Sequence, residues 1–210
     1  MLNKEKSKQV VRILKKRYGK EIPLYLHYHK NKPYEFLFAV MLSAQCTDKR
    51  VNIVTKELFK KYNTLSKFAN VDEKELEIDI HSVGFFKNKA KSIVSTAKML
   101  ISDFNSLVPN NFDDLVKLPG VGRKTASVVI SHLYGIPAMA VDTHVARISN
   151  ILFKLNTTNV REIEEKLKEI VEKKDWELWN TPIIALGREI CIARRPKCDI
   201  CPLYILCKKS

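Results

Sequence analysis

Four cysteines, Cys191, Cys198, Cys201 and Cys207, fall within one short stretch in the spacing Cys-x6-Cys-x2-Cys-x5-Cys. So short a segment has little apolar mass of its own, and convergence of four thiolates on one metal centre would give it a fixed shape. Zinc and an iron–sulfur cluster both accept four thiolates. Structural zinc sites commonly pair two Cys-x2-Cys knuckles, and here only Cys198 and Cys201 form one. The spacing therefore favours an iron–sulfur cluster and leaves zinc open. Cys46 stands apart after an apolar run and reads as buried rather than ligating.

The redox setting follows from the rest of the chain. The first residues, Met-Leu-Asn-Lys-Glu-Lys-Ser-Lys, lack an apolar signal core. No apolar run approaches the roughly 20 residues that span a bilayer. The expected location is intracellular, in the cytoplasm or nucleoid, with reduced thiols and no membrane partner.

Helical periodicity runs through the 210 residues and clear alternating strands are absent, so the expected class is all-α. Residues 4–18 carry Val10, Val11, Ile13 and Leu14 among lysines and arginines, with Gly19 as the stop. Residues 34–45 read as a buried helix, and Thr47 or Asp48 caps the next one, which runs to Tyr62. Asp72 opens a short acidic helix and Gly84 breaks the pattern. A helix over 87–103 places Ile93, Val94, Ala97, Leu100 and Ile101 on one side. Further helices are expected from Asn111 to near Leu118, over 123–134, from Asp142 or Thr143 to Leu155, over 160–173 and over 176–189.

Residues 112–134 form one unit: helix, Leu-Pro-Gly-Val-Gly, helix. Gly120 and Gly122 let the backbone come close to a ligand. Amides at the start of the second helix favour an anion, and a DNA phosphate would fit without any base contact. Arg123 and Lys124 stand where acidic residues are usual, which points to an anion arriving from outside. Lys124 is disfavoured as a cation by the helix dipole, Arg123 and nearby Lys117. That makes it a candidate amine nucleophile, and equally a phosphate-binding lysine. Asp142 reads first as a cap. A catalytic role would need it close to Lys124. His144 and Arg147 are candidate phosphate contacts.

Lysine and arginine number 37 against 23 acidic residues, a formal charge of +14. That excess favours a polyanion, nucleic acid first, over a merely solvated lysine surface. Arg188, Arg194, Arg195, Lys197, Lys208 and Lys209 surround the cysteine ligands, so a metal-held loop could touch a DNA backbone. Abundant lysine with only two glutamines is a weak sign of a heat-adapted source.

Taken in order, Leu42-Ser-Ala-Gln-Cys-Thr-Asp48, Gly84-Phe-Phe-Lys-Asn-Lys-Ala90, Leu118-Pro-Gly-Val-Gly-Arg-Lys-Thr-Ala126, Val141-Asp-Thr-His144 and the four cysteines resemble the endonuclease III family of helix-hairpin-helix DNA glycosylases. The likeness covers residues 30–208. It implies a two-lobed all-helical fold with double-stranded DNA, carrying a damaged base or abasic site, in the cleft. One lobe of six helices would span 23–138. The other, a cluster lobe, would comprise 1–22 and 139–210, with a 4Fe–4S cluster on the 191–207 loop. It implies a monomeric glycosylase and AP lyase acting on oxidised pyrimidines, with Lys124 as nucleophile and Asp142 as its carboxylate partner. Lys124 would attack the sugar C1′ of a flipped nucleotide, and β-elimination from the Schiff base would cut the strand. Gln45 would fill the gap, Phe85 would be the apolar wedge, and Gly120, Val121 and Gly122 would hold phosphate through their amides.

The chain departs from the family pattern at Cys46, Phe86 and Leu186, which bears on the base accepted rather than on the reaction. Other readings are a monofunctional or mismatch-type glycosylase acting on T/G or U/G pairs, a non-catalytic DNA-binding module, and an electron-transfer protein. The last leaves Lys124, Asp142 and the basic charge unexplained.

Overall fold

A computed structural model describes residues 2–19 and 26–208. The expected lobe boundary at 22/23 and the residue Lys209 lie outside the described residues. Every regular element among the described residues is helical. The chain divides into two compact units, Leu24–Gly135 and a second made of Met1–Pro23 with Ile136–Ser210.

In the unit Leu24–Gly135, α2 (Pro33–Ser43) is the central helix. Phe36, Leu37, Phe38 and Leu42 are fully buried around its whole circumference, which is why its sequence carries no polar stripe. Each such side chain contributes about 1.5–3 kcal/mol by leaving water. α3 (Asp48–Lys61), α6 (Phe86–Asp103) and α8 (Arg123–Tyr134) pack on it. α4 (Leu65–Asn70) and α5 (Glu73–Asp79) pack on α6. Phe68 of α4 meets Phe38 with ring centroids 4.9 Å apart, edge to face. α7 (Phe112–Leu115) precedes the glycine turn and α8.

The second unit holds α1 (Leu2–Tyr18), α9 (Thr143–Phe153), α10 (Val160–Ile170), α11 (Trp176–Glu189) and α12 (Tyr204–Lys208), with short 3-10 turns at Lys173–Asp175 and Cys198–Ile200. Trp179 sits fully buried at its centre, stacked on Phe153 at 5.4 Å, and its Nε1 donates to Ser149 Oγ at 3.2 Å. α1 packs on α11 and α10 through Val10, Val11 and Leu14. It also donates from Lys6 Nζ to Leu152 O at 2.6 Å and from Ser7 Oγ to Ile170 O at 2.9 Å, satisfying late carbonyls of α9 and α10. Ile190 and Leu203 anchor the two sides of the cysteine loop in this core.

Local chemistry settles the boundaries. Thr47, not Asp48, caps α3, accepting from the Arg50 amide at 3.3 Å. Asp142, not Thr143, caps α9. Gly19 is left-handed at φ 83° and its amide closes on Lys15 O at 2.9 Å. The expected helix 34–45 stops at Ser43 because Gln45 turns left-handed, at φ 55°. α7 ends at Leu115, three residues earlier than expected, as the chain enters consecutive turns. α4, capped by Thr64, was not expected from the sequence. Ile101 is 40% exposed, off the buried face of α6 to which its spacing assigned it.

Candidate functional site

The hairpin is held from behind by α6. Gly120 has φ 76°, and a Cβ on it would stand 2.6 Å from both Cβ and Oγ of Ser92. Only glycine fits there, for conformation and for space. Thr96, fully buried on α6, donates from Oγ1 to Pro119 O at 2.8 Å. Val121 closes the turn with its amide on Leu118 O at 3.0 Å and buries its side chain. The Val121 amide is therefore engaged inside the turn rather than presented to a phosphate as the resemblance implied.

Gly122 caps α8 with no side-chain acceptor, so the first turn of the helix begins bare on an exposed surface. Arg123 and Lys124 follow, both exposed. The Arg123 guanidinium lies over the Phe112 ring, 4.8 Å from its centroid, which orients it at the mouth of the turn. Lys117, the nearby cation noted in the sequence, pairs with Asp114. Its Nζ lies 2.6 Å from Asp114 Oδ1, and that carboxylate pushes Lys117 above the usual lysine range. Its charge is engaged by Asp114 of α7.

A second feature of this unit joins two loops. Gln45 and Phe85 are both left-handed, at φ 55° and 58°, and neither is glycine. Such backbone strain persists only where the surroundings enforce it, and it concentrates at working sites. Both side chains are exposed, Phe85 at 63%. The loops touch: a Cβ on Gly84 would sit 3.7 Å from Gln45 O. Lys89 lies beneath them, 8% exposed, donating from Nζ to Leu42 O at 2.9 Å and Ala44 O at 2.6 Å. Burial lowers its pKa. Cys46 is half-buried in this turn, more open than expected, because the helix before it ends early. Phe86 opens α6 and is half-buried.

In the other unit, Asp142 accepts from the His144 and Val145 amides, both at 2.8 Å on Oδ1. The start of α9 thus fixes one oxygen of the carboxylate, and the residue stays partly exposed. His144 and Arg147 both make contacts within this unit. The His144 ring packs against Gly187 of α11. Arg147 Nη2 donates to Cys191 O at 2.6 Å and lies 3.3 Å from His144 Nδ1, while its Nε is buried without a partner. Arg147 therefore ties α9 to the first cysteine of the loop. Leu186 is 1% exposed, in the core.

None of the four cysteines forms a disulfide. They are electrostatic neighbours: Cys191 feels Cys201 and Cys207, and Cys201 feels Cys207 and Cys198. Burial pushes Cys191 and Cys201 up, and Arg147 opposes this at Cys191. As thiolates, such groups need a bound cation beside them. Among the described residues no three such side chains crowd around one point as a single ion requires. A cubane brings one iron to each sulfur, so it spans thiols that stand apart as neighbours. The sulfur set and its chemistry fit that group.

The HhH-GPD superfamily model, described as a base excision DNA repair protein, matches residues 38–173. The iron-sulfur binding domain of endonuclease III matches residues 191–207, the cysteine loop. Fold, hairpin and loop together define a helix-hairpin-helix base-excision DNA glycosylase. Endonuclease III of Bacillus subtilis is 48% identical over 87% of this chain and 83% of its own length. That of Synechocystis is 42% identical over 99% and 94%. A solved trapped covalent intermediate of endonuclease III with DNA superposes with a TM-score of 0.89 at 44% identity, covering 100% of this chain and 99% of that one. A thermostable thymine-DNA glycosylase shares the fold at a TM-score of 0.84, with 24% identity over 98% of each chain. The chain belongs to the endonuclease III family. It is a DNA glycosylase with AP lyase activity, acts on DNA and carries a 4Fe–4S cluster. No described helix is long and apolar enough to cross a membrane.

Proposed function

We propose that the protein excises oxidised pyrimidines from duplex DNA and cuts the strand through a Schiff base on Lys124. The observation that carries this is the bare start of α8, where a glycine turn without a side-chain cap presents Lys124 on an exposed surface. The amides of Gly120 and Gly122 take a phosphate beside the damaged nucleotide, and Arg123 strengthens that grip. The base leaves the stack. Gln45 fills the space and Phe85 wedges the adjoining step.

The neutral amine of Lys124 attacks C1′ of the flipped sugar, and the base departs with the glycosidic electron pair. Asp142 takes the proton from the lysine and stabilises positive charge on the sugar. The sugar ring then opens as the C1′–O4′ bond breaks, O4′ taking a proton and C1′ becoming doubly bonded to the lysine nitrogen. This iminium acidifies C2′, a proton leaves there, and the 3′ phosphate is expelled. Cys191, Cys198, Cys201 and Cys207 hold the cluster. When bound, the cluster supplies metal–thiolate bonds that fold the loop and present Arg194, Arg195 and Lys197 to the DNA backbone. The protein works as a monomer in the cytoplasm or nucleoid.

Borohydride trapping on a duplex with one thymine glycol tests this reading, using wild type, Lys124→Ala and Asp142→Asn. The expected result is a covalent adduct in wild type that disappears in Lys124→Ala. Base release without an adduct would instead indicate a hydrolytic, mismatch-type glycosylase. Neither release nor adduct, here and on an abasic-site control, would leave a binding module.

A further inference from the structure

Among the described residues Lys89 is the one buried lysine, and no carboxylate pairs with it. A methionine of similar length would fill the same space without the cost of desolvating an ammonium. What the ammonium adds is two hydrogen bonds, to Leu42 O and Ala44 O, where α2 ends and its last carbonyls lack helical partners. A cation is also favoured there by the α2 dipole. The backbone of the same residue faces the other loop: the Lys89 amide donates to Phe85 O at 3.1 Å. One residue therefore grips the turn leading to Gln45 with its side chain and the loop carrying Phe85 with its main chain.

We infer that Lys89 is a positioning residue for base extrusion, fixing Gln45 and Phe85 as one rigid pair that enters the duplex together. The inference rests on the insertion roles proposed above for these two side chains. Lys89 touches no substrate and acts only through them. Without it, the strained left-handed turn at Gln45 relaxes and the two side chains move independently. The reaction at the sugar is left intact, because none of its groups depends on this turn.

The test compares two substrates. Single-turnover base release is measured on a thymine-glycol duplex, and strand cleavage on an abasic site in single-stranded DNA, where nothing need be extruded from a stack. Lys89→Met is expected to slow the duplex reaction by about 10–100-fold, as small misplacements do. It should leave single-stranded cleavage within about twofold of wild type, the sugar chemistry being untouched. Combined with Gln45→Ala, it should add no further loss, because both changes remove the same function.

Equal losses on the two substrates, multiplying losses in the double variant, or undiminished duplex release would each overturn the inference. Should Lys89→Met not fold, Lys89→Gln is judged by the same three measurements and the same outcomes. If wild type cleaves neither substrate, the lyase reading itself falls and this inference with it.

Discussion

Gly187 of α11 lies against the ring of His144 in α9, so closely that a Cβ on it would meet Nδ1 at 2.5 Å and Cβ and Cγ at 2.9 Å. His144, in the first turn of α9 two residues after Asp142, can sit there only because α11 is bare at this point. Gly187→Ala should therefore destabilise the protein by about 1–3 kcal/mol through overpacking, despite alanine's better helix propensity. Thermal unfolding would show it as a fall of several degrees in Tm. An unchanged or higher Tm would mean that the His144 ring moves aside freely.

Arg147 and Arg123 should separate cleanly. Arg147→Ala removes the donor to Cys191 O, so retention of the cluster under chelator should fall by about 10-fold or more, followed by its visible absorbance. The salt dependence of DNA binding should not move. Arg123→Ala should do the reverse, keeping the cluster while lowering the slope of log affinity against log salt by about 1.

Asp142 carries two roles that one substitution can divide. Asparagine caps a helix about as well as aspartate, so Asp142→Asn should keep stability within about 0.5 kcal/mol of wild type. Without a base or a negative charge, its rate of base release should drop by at least about 100-fold. Asp142→Ala should lose the rate and also about 0.5–2 kcal/mol of stability. Chemical denaturation beside single-turnover kinetics reads both.

His132 on α8 accepts or donates a hydrogen bond at 3.0 Å with Tyr28 OH and packs on Phe36 at 4.3 Å. Packing on Tyr28 and Phe36 desolvates the ring and lowers its pKa below the ordinary 6.5. Solvent screening keeps the effect small, because the residue remains more than a third exposed. The folded state thus binds fewer protons here than the unfolded chain. Stability from this group is complete above pH 6.5 and drains away as pH falls from there towards the lower folded pKa. Tm measured against pH should fall more steeply on the acid side for wild type than for His132→Phe. Parallel curves would show that the ring is not held neutral.

Much of the site was legible because its chemistry is local. A cap acts within three residues, so Thr47, Asn111 and Asp142 could be read from their neighbours, and the structure places their side chains on the expected amides. The glycine turn and the cysteine spacing are equally short-range. What stayed hidden depends on residues far apart in the chain. Lys89 reaches back 47 residues to Leu42, and Thr96 reaches 23 forward to Pro119. A trace was present: both are polar residues in phase with Ile93, Ala97 and Leu100 on the buried face of α6. A polar group in an apolar stripe must find a partner inside, though only the fold says which. The hold of Arg147 on the cysteine loop was hidden for the same reason. Nothing near it in sequence reveals that Cys191 O waits 44 residues on.

The discontinuity of the second unit has a consequence for biogenesis. α1 leaves the ribosome well before α10 and α11, the helices that cover Val10, Val11 and Leu14. The unit Leu24–Gly135 is continuous and can collapse while translation proceeds. Throughout that interval the apolar stripe of α1 waits uncovered, a target for chaperones. The lysines and arginines that punctuate it, from Lys4 to Arg17, keep the nascent helix soluble until its partners arrive.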